Sequence, residues 1–295
     1  MINSAEIEYV YINGAFMPRE EAKISVWDHG LLYGDGVFEA IRVYDWNIFK
    51  LKEHIDRLFE SAKAIMINIP LTKDELVSKV VEIVKKNNLR YGYIRIIVTR
   101  GVGPMGVDPR NCKEPTIIIM TERREPIWGE KPITAITSSI RRIPPECIDP
   151  KIKSLNYLNN ILAKIEAINA GADAAIMLNV QGYVSEASTE NIFVVKSGVL
   201  YTPPLEAGIL RGITRETVIE IAKDLNIPVV ERNLTIHDLY TADEVFLAGT
   251  AAELAPVIKI DGRVINDGKP GPIFRRIYEE FRKRVHDPKY GVKVQ

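Results

Sequence analysis

Cysteine and histidine are scarce in this chain, with 2 Cys and 4 His in 295 residues. Cys112 and Cys147 form neither a disulfide framework nor a zinc spacing. The histidines, at 29, 54, 237 and 286, never stand four apart, which argues against a structural metal site. No apolar run reaches the length that crosses a bilayer. The opening stretch, MINSAEIEYVYING, lacks the basic region and apolar core of a secretory signal. Charge of one sign is also missing: 39 basic residues balance 39 acidic ones, which argues against a nucleic-acid partner. A reducing, cytoplasmic setting is therefore expected. The charges are mostly Lys, Arg and Glu, with little glutamine, a balance compatible with a thermophile.

Two familiar sites are absent as well. There is no G-x-x-x-x-G-K-[ST] phosphate loop and no G-x-S-x-G nucleophile elbow. GVGPMG (101–106) matches G-x-G-x-x-G after a strand, but the chain continues into VDPRNC instead of opening a helix. A mobile loop is the better reading of that stretch than a dinucleotide site.

Ordinary α/β signals fill the chain. YVYINGAFM (9–17) reads as a hairpin turning at Asn13-Gly14, and residues 36–51 as a second around Asp45–Asn47. Apolar spacing predicts a helix over 51–67, and the capping box Thr72-x-x-Glu75 opens another that ends near Asn88. Residues 91–99 and 115–121 read as strands. The length suits two domains: 1–121, a polar linker at 122–132 with two prolines, and 133–295. In the second, 133–140 reads as a strand. A helix is expected over 154–170, with Leu155, Leu158, Ile161, Leu162 and Ile165 on one face. Strands near 173–179, 182–185, 191–196 and 199–202 follow, then a helix over 213–226 and strands near 228–232 and 244–248. Asp261-Gly262 marks a further hairpin, and a last helix covers 272–285.

Four stretches could carry chemistry. Lys153 would stand near the start of the helix at 154–170, with Tyr157 one turn on. A buried position at the positive end of a helix would favour the neutral amine a nucleophile needs. Lys151 and Lys164 compete for the role, and a solvated surface lysine is the default. GYVSEASTENIF places Glu186 and Glu190 among small residues, where a bulky group can approach the backbone; taken alone, a polar hairpin is the better reading. LRGITRE places Gly212, Ile213 and Thr214 at a helix start, where open amides and a hydroxyl suit an anion. LAGTAAELAP ends a strand in a similar run of small residues.

In that order, KSLNYL, YVSEASTENIF, LRGITRE and GTAAELAP resemble the fold-type IV pyridoxal-phosphate enzymes, and most closely the branched-chain amino-acid aminotransferases. WDHGLLYGDGVFEAIRVYD (27–45) and HIDRLFESAK (54–63) match too, so the resemblance covers nearly the whole chain. It implies two α/β domains, the smaller N-terminal and the larger built on a barrel-like sheet. It implies pyridoxal 5'-phosphate as cofactor and transamination of L-valine, L-leucine or L-isoleucine with 2-oxoglutarate.

Residue by residue, Lys153 matches the lysine that carries the cofactor and moves the proton between substrate Cα and cofactor C4′. Glu186 matches the carboxylate facing the pyridine nitrogen, and Tyr157 the phenol beside the ring oxygen. Arg57, Ile213, Thr214 and Thr250 match the phosphate seat, and Leu210 a residue packing on the ring. Tyr33, Phe38, Tyr93, Arg95 and Ala251 match the substrate pocket, with Arg95 the first choice for a carboxylate-binding cation and Arg42 the second. The family implies a homodimer or a multiple of dimers, with GVGPMGVDP the candidate loop for entering a neighbour's site.

Ile96 stands where proline is frequent and Ala187 where glycine is usual, which bears on substrate range. A D-amino-acid aminotransferase and an aminodeoxychorismate lyase share the fold. The strand YIRIIVTR lacks the Arg-x-His of the D-specific relatives, which favours the L-branched reading. A non-catalytic binding protein would have lost Lys153 or Glu186, and both are present.

Overall fold

The computed structural model describes residues 8–294 and is mixed α/β. It opens with β1 (Tyr9–Ile12) and β2 (Ala15–Pro18). Asn13 (φ 46°) and Gly14 (φ 97°) make the turn between them, both in the left-handed region that a primed two-residue turn requires. A short α1 (His29–Tyr33), capped by Asp28, precedes β3 (Gly36–Tyr44) and β4 (Asn47–Phe49). Then come α2 (Leu51–Ala64), α3 (Lys73–Lys86), β5 (Tyr91–Thr99) and β6 (Thr116–Glu122). Thr72 and Glu75 form the expected capping box on α3, each bonding the other's backbone N–H.

Further along lie β7 (Ile133–Thr137), α4 (Leu158–Asn169), β8 (Ala174–Leu178), β9 (Val184–Ala187), β10 (Asn191–Lys196) and β11 (Val199–Thr202). They are followed by α5 (Ile213–Asp224), β12 (Val229–Glu231), α6 (Ile236–Tyr240), β13 (Glu244–Gly249), β14 (Glu253–Ile260) and β15 (Arg263–Val264). The chain closes with α7 (Pro272–His286) and β16 (Gly291–Lys293). Among the described residues, no helix is long and apolar enough to cross a membrane.

The chain divides into two compact units. The first takes Met1–Glu125, Ile152–Asn156 and Val285–Gln295; the second takes Pro126–Lys151 and Tyr157–Arg284. This differs from a division at a linker over 122–132 in two ways. The boundary falls inside that linker, between Glu125 and Pro126, and the first unit recruits two distant segments. One is the stretch around Lys153. The other supplies β16, which pairs with β4 at the edge of the first sheet.

The first sheet has seven antiparallel strands in the order β16-β4-β3-β5-β6-β1-β2. Val37, Ile41 and Val43 of β3 and Ile94, Ile96 and Val98 of β5 share one face, which packs on Leu51, Ile55 and Leu58 of α2 and Leu76, Val80 and Ile83 of α3. Strand alternation then sends Phe38, Arg42, Tyr93 and Arg95 to the opposite face. The second unit has a nine-stranded mixed sheet in the order β12-β11-β10-β13-β14-β7-β8-β9, with β15 on β14. Its pairings β11–β12, β14–β7 and β7–β8 are parallel. Ile176, Ile192, Val194, Val245, Leu247 and Val257 form much of its core.

One element departs from expectation in a way that matters. The helix expected over 154–170 begins at Leu158, and its apolar stripe faces outward. Leu158, Ile161, Leu162, Ile165 and Ile168 are 67%, 52%, 42%, 45% and 62% exposed. The buried side is Asn160, Ala163 and Ala167, and those alanines pack on Ala175 and Met177 of β8. Small side chains let the helix lie close to the sheet, so the larger aliphatics are left on the other side. Gly171 (φ 68°) follows the helix in the left-handed conformation expected of a C′ glycine.

Candidate active site

Lys153 is not on a helix. It lies in an extended stretch five residues ahead of α4, not at the helix start that the sequence spacing suggests. Its backbone is instead strapped to the first unit. The Lys153 N–H donates to Ser61 Oγ of α2 (3.2 Å), and its carbonyl accepts from the Phe38 N–H of β3 (2.9 Å). Ser154 forms a bridge with Val37, and the Leu155 N–H donates to the Gly36 carbonyl. Lys153 is half-buried, with its Nζ 4.8 Å from the centroid of the Phe38 ring. An aromatic face below and a strapped backbone fix where the amine points.

The same face of the sheet carries the expected substrate residues of this unit. The Arg95 guanidinium lies 4.4 Å from the Phe38 ring centroid, and its Nη2 donates to the Tyr93 hydroxyl (3.1 Å). Arg42 pairs with Tyr93 across the strands, is 4% exposed and donates through Nη2 to the Arg124 carbonyl (2.9 Å). Its Nε and Nη1 are buried and have no hydrogen-bond partner among the described residues. Buried donors left unmade on a guanidinium are costly, and an anion would relieve them. Tyr33 is 39% exposed, and its hydroxyl accepts from the Gly106 N–H (2.7 Å). His29 Nε2 pairs with the Pro104 carbonyl (2.9 Å). These two contacts pin the 101–106 stretch, in which no helix opens, while Met105 and Val107 stay 72% and 84% exposed.

Arg57 belongs to the other side of β3. Its Nε and Nη2 grip Glu39 at 2.6 and 2.8 Å, and Glu39 Oε2 also accepts from His54 Nδ1 (2.7 Å). Glu39, His54 and Arg57 are 0%, 2% and 8% exposed. Burial alone would push the Glu39 carboxyl up, but the Arg57 and His54 charges outweigh it and hold it well below the usual carboxylate range. Burial also pushes His54 down, aided by Arg57 and Lys153 and opposed by Glu39. Glu39 was invisible as a site residue from sequence, because it sits in the apolar run GVFEAIRVY. A lone acid on the core face of a strand was the available signal.

In the second unit, Glu186 of β9 is 5% exposed. Arg142, 8% exposed, reaches Glu186 Oε1 through Nε (3.0 Å) and Nη2 (2.9 Å). Oε2 accepts from Asn191 Nδ2 and from the Leu210 N–H, both at 3.0 Å. Arg142 itself is steadied by Asn160 Oδ1 (3.1 Å). Arg142, Asn160 and Asn191 were not singled out from sequence. Glu190, 3% exposed, bonds its neighbour Thr189, and burial pushes its carboxyl up. The two carboxyls therefore differ: Glu186 has a countercharge, and Glu190 is raised by burial.

Asn191 also donates to the Leu210 carbonyl (3.0 Å) and packs tightly on Gly212, where an added Cβ would sit 1.9 Å from Asn191 Oδ1. Gly212 is the N-cap of α5 and has no side-chain cap. Ile213 and Thr214, 7% and 6% exposed, follow it. A buried twelve-residue helix whose first amides lack a side-chain acceptor is suited to a dianion. Thr250 and Ala251 are half-buried in the β13–β14 turn, and the Ala251 carbonyl accepts from the Ile127 N–H (2.9 Å). Tyr157, half-buried, is the N-cap residue of α4.

The first unit thus presents a half-buried lysine and an arginine in a buried ion cluster, and the second a carboxylate with a countercharge and a helix start whose N-cap residue has no side chain. Comparison with known proteins identifies the family. The amino-transferase class IV family matches residues 36–260. A Methanocaldococcus jannaschii protein, provisionally named a branched-chain-amino-acid aminotransferase, is 55% identical over 97% of this chain and 98% of its own. The branched-chain-amino-acid aminotransferase of Escherichia coli K12 is 39% identical over 95% and 94%. Among solved structures, a branched-chain aminotransferase from Thermoproteus uzoniensis with norvaline is 41% identical, with a TM-score of 0.93 over 98% of this chain and 100% of that one. The branched-chain amino acid aminotransferase from Thermobaculum terrenum, in its PLP-form, is 33% identical, with a TM-score of 0.89 over 98% of this chain and 99% of that one.

Proposed function

Since this chain belongs to the class IV amino-transferases and is most similar to their branched-chain members, we propose that it exchanges the amine of L-valine, L-leucine or L-isoleucine with 2-oxoglutarate. The observation that carries this reading is Lys153, strapped to β3 and α2 with its amine over Phe38. Pyridoxal 5'-phosphate, the cofactor of this class, supplies an electron sink for the carbon that loses its proton.

This chain's residues divide the remaining work. Lys153 would hold the cofactor and serve as the base for the proton on substrate Cα. The Phe38 ring limits where its amine can go. Glu186, with Arg142 as countercharge and oriented by Asn191 and the Leu210 amide, would face the ring nitrogen and favour its protonated form. Tyr157 orients the ring oxygen, and Leu210 packs on the ring. By the family resemblance, the Ile213 and Thr214 amides, the Thr214 and Thr250 hydroxyls and Arg57 are the groups that would hold the phosphate. Phe38 and Tyr33 line the apolar slot for a branched chain, with the Thr250–Ala251 turn beside the substrate carboxylate. For the second carboxylate of glutamate, Arg95 and Arg42 offer cations, and the unmet Arg42 donors support a role for both.

The partner is a second copy of this chain. The outward stripe of α4 carries no charge among its five aliphatics, repeats at i, i+3, i+4 and i+7, and suits packing against its own symmetry mate. Met105 and Val107, exposed at the tip of the pinned loop, are the residues it would lend to a neighbour. The deciding assay compares L-isoleucine, D-alanine and aminodeoxychorismate as substrates. L-isoleucine is the expected winner. Preference for D-alanine, or pyruvate release from aminodeoxychorismate, would replace this reading with that of a fold relative.

A further inference from the structure

Helix α2 turns three polar residues inward at 54, 57 and 61, spaced so that they share one face. Such positions normally hold core aliphatics, and α2 does bury Leu51, Ile55 and Leu58 nearby. The three polar groups have separate tasks. Ser61 accepts from the Lys153 backbone, Arg57 is the phosphate candidate, and His54 bonds neither. Its ring turns to Glu39, whose two oxygens are both engaged by Arg57.

We propose that Glu39 and His54 are positioning residues for phosphate recognition: Glu39 fixes the plane of the Arg57 guanidinium, and His54 fixes Glu39. This rests on the reading that Arg57 seats the cofactor phosphate. The geometry supports it in three ways. Glu39 engages Arg57 through the Nε–Nη2 edge, a bidentate fork that leaves the guanidinium no freedom to rotate in its plane. An ionised Glu39 requires the Nδ1–H tautomer of His54, so the His54–Glu39 bond is directional. All three groups are nearly buried, so each bond is worth more than on a surface, and loss of either partner leaves Arg57 free to swing. An ordinary core ion pair would need no third member. His54 completes the set because the Oε2 atom it binds is the one Arg57 Nη2 also uses.

The test uses pyridoxal 5'-phosphate and pyridoxal, which differ only in the phosphate. Each is titrated into the apoprotein of the wild type and of His54→Leu, His54→Asn, Glu39→Gln and Arg57→Lys, following the absorbance of the bound ring. His54→Leu and Glu39→Gln are expected to weaken pyridoxal 5'-phosphate by about tenfold or more, the scale of one charge-assisted hydrogen bond, with pyridoxal unchanged within about twofold. His54→Asn, which keeps a donor near the Nδ1 position, is expected to recover most of the loss. Should Glu39→Gln not fold, the two His54 variants carry the comparison. A parallel fall for both ligands, or no fall for either, overturns the proposal, because a structural role would not discriminate by phosphate. If Arg57→Lys keeps the wild-type preference, the phosphate seat is elsewhere, and the proposal falls with it.

Discussion

Lys153 and Glu186 work by different physical means, and substitutions separate them. Lys153→Ala removes the only proton-moving amine assigned, so turnover is expected to fall by several orders of magnitude while the fold survives, as kinetics and circular dichroism would show. Arg142→Met should do the opposite first. It strands Glu186 as a buried carboxylate without its countercharge, a loss of about 3–5 kcal/mol that a urea titration would register. The Arg42 donors allow a sharper test of substrate range. Arg42→Met should raise KM for 2-oxoglutarate more than for L-isoleucine, and equal changes would remove Arg42 from the carboxylate site. Little at this scale was legible from single residues. Lys153 had rivals at 151 and 164, and motif order, not its surroundings, picked it out. Arg142 follows Arg141 in SSIRRIPP while its partner is 44 positions away, and no local pattern announces such a pair.

Elements were legible wherever the code is local. Asn13-Gly14, Thr72–Glu75 and Asp261-Gly262 each fix a turn or a cap from neighbouring atoms, and the structure has all three. Helix α4 shows where this stops. A 3.6-residue period says that a helix has an apolar side, not what covers it, and here the alanines pack inward. The outward aliphatics make a testable surface. Ile161→Asp with Ile165→Asp should convert the assembly to a smaller species by light scattering, with far-UV circular dichroism unchanged. A wild-type chain that scatters as an active monomer would remove the dimer reading.

For the whole molecule, acid is expected to act through the first unit. Glu39 has its folded pKa below the unfolded value, so its contribution is full above the unfolded carboxyl range and is lost as pH falls through the folded value. His54 is also lowered on folding: the unfolded chain takes up the proton first, so stability declines as pH drops below about 6.5. Both slopes have one sign. The urea midpoint should therefore fall between pH 7 and 5, and fall less in His54→Asn. Cooperation between copies is testable in the same preparations. If Met105 and Val107 serve a neighbour, inactive Lys153→Ala chains mixed with chains lacking 103–107 should regain activity.

The first sheet is assembled from ends of the chain that leave the ribosome far apart in time. β4, near residue 48, waits for β16 at Gly291–Lys293, and the edge of β3 waits for the strap at Lys153–Leu155. A nascent chain stopped after Glu125 has the helices and most strands of this unit but neither closing piece. It would expose the β4 edge and the α2 groove beside Ser61 until synthesis finished. The lysine proposed to do the chemistry is thus also a late rivet of the N-terminal half.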